Sequence, residues 1–462
     1  MSLQKLELNG LRGFATLEEL PFAIPNGKHG SGLTTLVGPN NGGKSTIVEA
    51  LRALAAPSAQ NPPQPRSFTE GRRNKRAGDR IMIRATDSSG NVGGLRSVES
   101  GTSTSETEWF PAQLEEQIFV LPSRRYFDPL FHKNAMTRDN YIVQYDMSST
   151  ARGGPLQQFG SRLFQVQKKR AEFDAVLEEV VNPVPKWAID RTDSGQYYLK
   201  VETSCQYHSS EGLGEGLVSL LIIVDALYDS SLDDVIVIDE PELSLHPSLQ
   251  RRLFTLLSKY AADRQIVIAT HSPYFVDFNA LLNGARIARL HLQDGSSVVS
   301  TLGEPTIKRL AGFISNYNNP HILGLDAREA FFLEDRVILV EGQEDVIFYQ
   351  QIADQLEIKI DGNFFGWGVG GAENMETVAS LLRELGFKKV VGLLDGNRDA
   401  LASKLQGEFL DYRFYAIPAD DIRTKSSRQI PAVQGILDDK GEVRPEHQEA
   451  MTKLLTQVNN EL

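Results

Sequence analysis

Cysteine is nearly absent from this chain. Cys205 stands alone among 462 residues, which excludes internal disulfides and any multi-cysteine zinc site and fits a reducing cytoplasm. It reads as a structural residue near a strand end. Long apolar runs are absent as well. None approaches a membrane span and the N-terminus lacks a signal-peptide pattern, so no membrane partner and a cytoplasmic setting are expected. An excess of positive charge is also missing: 48 Lys and Arg face 60 Asp and Glu, a net charge of −12. A nucleic-acid partner would therefore need a local basic patch. No internal repeat occurs, and no heptad segment is long enough for a coiled-coil arm. Otherwise the composition, 41% hydrophobic and 23% charged, is that of a soluble globular protein. The length suits about two or three domains with large cores.

The most informative run is Gly38-Pro39-Asn40-Asn41-Gly42-Gly43-Lys44-Ser45, followed by Thr46. It fits G-x-x-x-x-G-K-[ST]. Leu33 to Val37 reads as a strand entering the loop and Ser45 to Leu54 as a helix leaving it, the context the motif requires. A nucleoside triphosphate is highly charged and needs many donors held close. Glycines let backbone N–H groups wrap the phosphates, and the helix N-terminus adds positive potential. Gly38, Asn40, Asn41, Gly42, Gly43, Lys44, Ser45 and Thr46 are the expected nucleotide contacts. Lys44 would reach the β- and γ-phosphates, and Ser45 would ligate Mg²⁺. A Gly/Asn loop with a stray lysine would explain the letters but not the flanking strand and helix.

Further along, residues 1–24 alternate as strands. Pro57 to Arg80 reads as a loop, and residues 86–107 as hairpin tips or disorder. Gly160 to Val181 has the spacing of one helix packed on one face. Then come an apolar helix from Leu217 to Tyr228, a strand Val235 to Ile238, a helix Pro247 to Tyr260 and a strand Gln265 to Ala269. After about residue 330 the pattern restarts. It gives a strand Arg336 to Val340, a helix Glu344 to Gln355, a strand near Phe364, a helix Met375 to Leu385, and strands Lys389 to Leu394 and Arg413 to Ile417. Alternating strands and helices predict a second parallel-sheet domain.

Val235 to Glu242 (VIVIDEPE) is an apolar strand ending in carboxylates. Asp239 at its C-terminal edge can reach Mg²⁺, and Glu240 can polarise an attacking water. Phosphoryl transfer needs metal, in-line water and charge neutralisation. His271, in Ala269-Thr270-His271-Ser272-Pro273, sits at another strand edge. A lone histidine there is more often a cap, but after the Asp-Glu pair it suits a γ-phosphate sensor. Arg124 and Arg125 read equally as phosphate or nucleic-acid contacts and as two solvated arginines. The Arg72-Arg73-Asn74-Lys75-Arg76 cluster reads as an exposed basic loop, more often merely solvated, with DNA contact as its functional reading.

Together these motifs resemble the ABC-type ATPase head shared by SMC/Rad-like repair proteins and the OLD (overcoming lysogenization defect) family. IDEPELSLHP resembles their Walker B and D-loop, IVIATHSP their H-loop, and LNGLRGF their N-terminal strand. The resemblance covers residues 1–330 and implies ATP as cofactor. Shortly before Walker B, where the family carries its signature, stand Gly212-Leu213-Gly214-Glu215-Gly216. Gly214 occupies the place of the usual serine. The family's signature meets the other subunit's γ-phosphate, which here leaves the backbone N–H groups of Gly214 and Gly216, with Ser210 and Ser219 as nearby hydroxyls. A homo-oligomer through the ATPase heads, at least a dimer, is implied.

The second half repeats the theme of a strand ending in an acid. Val337 to Val340 leads to Glu341, then Gly342 and a helix start. Val390 to Leu394 leads to Asp395, then Asn397 and Asp399. In a parallel sheet both acids lie on the C-terminal edge, where open α/β sheets carry their sites. Oxygen ligands suit Mg²⁺ or Mn²⁺. This resembles the Toprim domain of topoisomerases, primases and OLD-family nucleases, with Glu341 and Asp395 as matching catalytic and metal-binding acids. Asn397 stands where the second aspartate of D-x-D belongs, and Asp399 is a compensating ligand or a helix cap. Gly370 to Asn374 resembles the family's glycine-rich turn, while Asp420, Asp421 and Lys425 follow a further strand.

The expected architecture is α/β: an ABC-type ATPase head over residues 1–330 and a smaller Toprim-like domain over 331–462. The expected function is OLD-like: an ATPase coupled to metal-dependent DNA cleavage, in anti-phage defence or DNA processing. Glu240, His271, Glu341 and Asp395 are its catalytic residues, and Ser45, Asp239, Glu341, Asp395 and Asp399 its metal ligands. The alternative is an ATP-hydrolysing sensor or scaffold whose degenerate Toprim domain docks nucleic acid or a partner effector protein without cutting.

Overall fold

A computed structural model of the chain describes all residues except 1, 56–64, 79, 99–105, 115–116, 134–135, 139, 142–152, 157–158, 204–205, 233, 316–319, 334, 425–433 and 439. Cys205 and Lys425 lie outside the described residues. The chain forms two compact units, Met1–Val299 and Ser300–Leu462. Among the described residues no helix is long and apolar enough to cross a membrane.

The first unit is built on a six-stranded sheet in the order Ser296–Thr301, Arg286–Gln293, Leu33–Val37, Gln265–Ala269, Val235–Asp239, Ile118–Leu121. Leu33–Val37 and Val235–Asp239 both pair in parallel with Gln265–Ala269. These strands are buried at every position because both faces are covered. The two-residue period divides the side chains cleanly. Ile236, Ile238, Ile266 and Ile268 enter one core with Leu220, Leu253 and Leu257 of flanking helices. Val235, Val237 and Val267 enter another with Ile47 and Leu51 of the helix Lys44–Leu54. A five-stranded antiparallel sheet, with Leu3–Asn9 and Met82–Asp87 near its middle, closes that second core through Leu6, Leu8 and Ile83. The helix Glu215–Tyr228 is buried continuously from Val218 to Leu227, as a helix apolar all round must be.

One expectation changes here. The segment read as a single helix from Gly160 to Val181 is two, Phe159–Lys168 and Arg170–Glu178. The break at Lys169 re-aims the second helix, so that Phe173 meets Trp187 and Tyr228 edge-on at 6.0 and 5.5 Å.

The second unit carries a parallel four-stranded sheet in the order Asn363–Phe364, Val337–Leu339, Val390–Leu394, Arg413–Ala416. Ile338, Val340, Val391 and Leu393 pack on the helices Gln343–Gln355 and Pro445–Glu461. This unit begins before the residue-330 boundary expected from the sequence. Glu384 accepts hydrogen bonds from Gly303 N (2.8 Å) and Thr306 Oγ1 (2.6 Å), and Arg309 donates to Ser380 Oγ (3.1 Å). These bonds fasten the helix Glu304–Ser315 to the helix Met375–Glu384.

Candidate active sites on two sheet edges

The P-loop closes tightly at the C-terminal end of Leu33–Val37. Gly38 and Gly43 have φ of 125° and 122°, a region L side chains avoid. A Cβ on Gly38 or Gly42 would fall 2.2 or 2.1 Å from Leu290 O. The loop, Glu240, His271, Arg12, Gly13 and Ser297 line a cavity of about 490 Å³. Lys44 is buried and folds over the loop, its Nζ donating to Gly38 O (2.7 Å) and Pro39 O (2.9 Å). Burial draws its pKa down to about 8, against the opposing pull of Glu240, Glu242 and Asp239.

Asp239 and Glu240 follow Ile238 at the neighbouring edge. Burial, then the charge of Glu240, pushes Asp239 up to about 6. Its Oδ1 is buried and has no hydrogen-bond partner among the described residues. A buried, unmatched carboxylate oxygen beside a phosphate cradle fits a Mg²⁺ ligand, and so does the half-buried Ser45 lining the cavity. Glu240 takes a left-handed backbone, φ 46°, and its N donates to Ala269 O at 2.7 Å. Burial, then the charge of Lys44, lowers His271 to about 4, so the ring is neutral near pH 7.

Arg125 and Glu242 brace this edge, and neither role was read from the sequence. Arg125 is buried rather than solvated. It donates to Asp239 O (2.7 Å), Glu240 O (2.9 Å), Pro122 O (2.8 Å) and Ser219 Oγ (2.8 Å). It thereby ties the acid turn to the helix Glu215–Tyr228. Glu242 accepts from Thr270 Oγ1 (2.8 Å) and His271 N (2.6 Å) and is raised by its burial. Its only sequence signal was its place two residues after Glu240. Arg72 pairs with Glu49 (3.2 Å), as Arg12 does (3.4 Å), and Arg73 is buried. The basic cluster is therefore partly spent on packing.

Gly214 and Gly216 do not line the P-loop cavity of their own chain. Gly214 caps the helix Glu215–Tyr228 and is exposed. Glu215 and Ser244, which are hydrogen-bonded at 2.9 Å, open with Arg124 and Tyr126 onto a second cavity of about 470 Å³. The two serines near the signature are already engaged: Ser219 accepts from Arg125, and Ser210 Oγ donates to Pro129 O at 2.6 Å.

On the second unit's edge, Asp395 N donates to Glu341 Oε1 at 3.0 Å, which places the two acids side by side. Gly371 N donates to Glu341 O (2.8 Å) and Asn374 Nδ2 to Gly370 O (2.9 Å), so the glycine-rich turn buttresses the edge. Asp345 Oδ2 accepts from Gly342 N at 2.8 Å. Burial, then the charges of Glu341, Asp421 and Glu344, pushes Asp345 up to about 6. Tyr349, fully buried, is held well above the usual tyrosine value by burial and then by Asp345, Asp395 and Glu341. Sequence reading overlooked both Asp345 and Tyr349, although Asp345 lies in the first turn after Gly342.

The expected third carboxylate is not gathered. Asp399 is exposed in the first turn of the helix Asp399–Glu408. Among the described residues no group of three His, Cys, Asp or Glu side chains is placed to hold a metal. Asn397 is exposed and its amide is engaged, Nδ2 donating to Asp420 O at 2.9 Å. Glu341 and Asp395 remain as two oxygen donors, which suits Mg²⁺, an ion that keeps several waters and completes its shell with substrate phosphates.

Comparison with known proteins agrees with these two halves. Residues 5–90 match the family described as an AAA domain. Residues 156–277 match an AAA domain associated with AbiEii toxin and type IV toxin–antitoxin systems, and residues 332–396 match the Toprim domain of overcoming lysogenization defect protein-like proteins. Among curated relatives, the OLD nuclease of Thermus scotoductus is 33% identical over 162 residues, 34% of this chain and 30% of that protein. Endonuclease GajA of Bacillus cereus is 26% identical over 251 residues, 50% and 41% respectively. The chain thus spans less than half the length of these relatives. Solved structures with partial overlap include an SmcHead bound to the C-winged helix domain of ScpA. It has a TM-score of 0.38 at 14% identity, covering 66% of this chain and 99% of that one. An SMC head domain from Thermotoga maritima has a TM-score of 0.37 at 12% identity, covering 66% and 100%.

Proposed function

We propose, for a chain that belongs to the OLD family and joins an ABC-type ATPase head to a Toprim domain, that ATP hydrolysis at the P-loop edge is coupled to metal-dependent DNA cleavage at the Toprim edge, in defence or DNA processing. One observation carries this reading. A single chain holds a preformed phosphate cradle beside Asp239 and Glu240, and a second parallel edge where Glu341 and Asp395 adjoin.

At the first edge Lys44 and the loop N–H groups take the phosphates. Glu240 orients and deprotonates the attacking water, and the neutral His271 ring offers an N–H to the γ-phosphate. Ser45 and Asp239 would hold Mg²⁺, which neutralises charge on the transferring phosphoryl group. The strained backbone of Glu240 keeps its carboxylate aimed because Arg125 grips the carbonyls on either side of that peptide. At the second edge Glu341 and Asp395 would hold Mg²⁺ or Mn²⁺ against a DNA phosphate. Pairing of two copies, with Gly214 and Gly216 facing the other copy's triphosphate, belongs to the same reading. Light scattering of Glu240→Gln with ATP should then give a dimer or a larger even oligomer, and a monomer removes the pairing.

A second reading has its own support. The Asn397 amide, bonded to Asp420 O, and the absence among the described residues of any group of three His, Cys, Asp or Glu side chains placed to hold a metal favour a sensor or scaffold that docks a partner without cutting. Supercoiled plasmid incubated with Mg²⁺ or Mn²⁺, with and without ATP, separates the two. Nicking that Glu341→Ala and Asp395→Ala both abolish, while ATP hydrolysis continues, supports cleavage. Uncut DNA in every condition hands the function to the scaffold reading.

A further inference from the structure

The Toprim edge carries more than its acids. Its strand order sets the turns that follow each strand side by side, at roughly 4.8 Å per strand. Trp367 follows the outer strand Asn363–Phe364, Glu341 follows Val337–Leu339, and Asp395 follows Val390–Leu394 with Arg398 on the same turn. Trp367 is 47% exposed, whereas the indole of Trp187 is buried. The ring is held in place: its Nε1 donates to Asp326 Oδ2 at 2.9 Å. The loop beneath is pinned by Val369 N to Val340 O (2.9 Å) and Gly371 N to Glu341 O (2.8 Å). At Gly368, φ is 82° and a Cβ would stand 2.8 Å from the backbone of Gly342. The indole is therefore fixed next to the Glu341 turn with its surface open to solvent. On the turn after Asp395, its N donating to Asp395 O at 2.9 Å, Arg398 is exposed, and its guanidinium makes no ion pair among the described residues.

We propose that Trp367 and Arg398 form a binding subsite for single-stranded or locally unpaired nucleic acid. A base stacks on Trp367 and a nearby phosphate meets Arg398, so that the strand crosses Glu341 and Asp395 between them. This rests on the cleavage reading given above. A base inside a duplex has no free face to offer the indole, whereas an unpaired one stacks whatever its sequence. The acidic balance of the chain points the same way. Net charge of −12 leaves little for tracking many duplex phosphates, while stacking needs no charge.

The test uses the full chain in Ca²⁺, with labelled oligothymidine of about twenty nucleotides and a duplex of equal length as probes. Trp367→Ala should weaken single-strand binding about tenfold, within the range of one stacked base, while Trp367→Phe keeps most of the affinity. Arg398→Ala should weaken binding and lower the dependence of log K on log salt by about 0.7, the loss of one single-strand phosphate contact. Oligothymidine should quench tryptophan emission of the wild type and quench Trp367→Phe less. That readout stands even if Trp367→Ala melts early. Wild-type affinity in a well-folded Trp367→Ala protein, or a wild type that prefers the duplex, overturns the subsite. A wild type that neither binds nor cuts any DNA removes the cleavage reading and the subsite together. A wild type that cuts, with Trp367→Ala binding single strands equally well, removes the subsite alone.

Discussion

The two sheet edges hold acids in the same topological place and differ in what surrounds them. At the P-loop edge the backbone has built the site. Glycine turns pressed against Leu290, a cavity of about 490 Å³ and a buried lysine stand ready for a triphosphate. At the Toprim edge side chains have built it, and they are nearly all acidic: Glu341, Asp345, Asp395 and Asp421 act on one another or on their neighbours. The first edge brings its own positive charge, so its acids are partly balanced before any ligand arrives. Among the described residues the second edge has no buried lysine or arginine to match Lys44, and its acids are relieved when a cation joins them. Substitutions should therefore act through ligand chemistry at the first edge and through charge relief at the second.

The sharpest break should come at the first edge. Glu240→Gln keeps the shape but removes the proposed base, and ATP hydrolysis should fall by about 10² to 10⁴ with nucleotide still bound. Lys44→Ala should instead lose binding, because the charge that meets the β- and γ-phosphates is gone. Phosphate release and nucleotide binding, measured side by side, check the pair. A Glu240→Gln protein that hydrolyses at the wild-type rate refutes the assignment of the base.

Next in size is Arg125. Three of its four donations end on the acid turn and on the helix Glu215–Tyr228, the fourth on Pro122 O, so under the proposed mechanism it acts through Glu240 rather than on ATP. Arg125→Lys should lower kcat about tenfold with KM for ATP within about twofold, since one ammonium cannot span two carbonyls and a hydroxyl. Arg125→Ala should fall further. Equal losses in kcat and in ATP affinity would mean that the residue shapes the pocket, not the base.

Legibility in the sequence followed the same division. The placement of the P-loop, Asp239, Glu240 and His271 at strand ends was readable because each is a local motif after a buried strand, and contiguous residues fix that geometry. Arg125 was not, because its partners Asp239 and Glu240 lie more than a hundred residues away, and nothing beside it in the chain marks it as buried. The neighbouring Arg124 is exposed, which no local pattern distinguishes. The Toprim strands were legible as buried runs. Whether Asp399 reaches Asp395 depended on where a helix starts, and that start turned it outward. The helix Pro445–Glu461 went unread although Met451, Leu454, Leu455 and Val458 carry its buried stripe.

A smaller effect should expose the charge strain of the second edge. Asp345 sits near 6 when folded and about 4 when unfolded. The folded chain thus binds this proton more tightly. Ionising Asp345 costs stability, and that cost is absent below about pH 4 and complete above about pH 6. Asp345→Asn keeps an oxygen for Gly342 N and removes the charge. In a metal chelator, urea unfolding should show a gain of about 1 kcal/mol near pH 8 that vanishes near pH 4. A gain of the same size at both ends of the range would place its origin outside this titration.

The smallest effect belongs to Asn397→Asp, the change that would restore the Toprim pattern. By charge alone a third carboxylate should tighten a divalent ion and raise cleavage. The amide, however, donates to Asp420 O at 2.9 Å. An aspartate there would set a carboxylate oxygen against a carbonyl oxygen, lose the bond and turn away. Turning toward Asp395 brings the metal-binding oxygen the family pattern needs, but it also adds charge to an edge already crowded with acids. The two terms oppose, so metal affinity measured by Mn²⁺ titration should improve by only about threefold, roughly 0.65 kcal/mol. Any nicking should rise in proportion. A gain of two orders of magnitude would mean that Asn397 already faces the metal in the working state, and that its bond to Asp420 breaks when the ion binds. No gain in affinity, together with intact cleavage by the wild type, would mean that the substrate's own phosphates complete the shell that Glu341 and Asp395 begin.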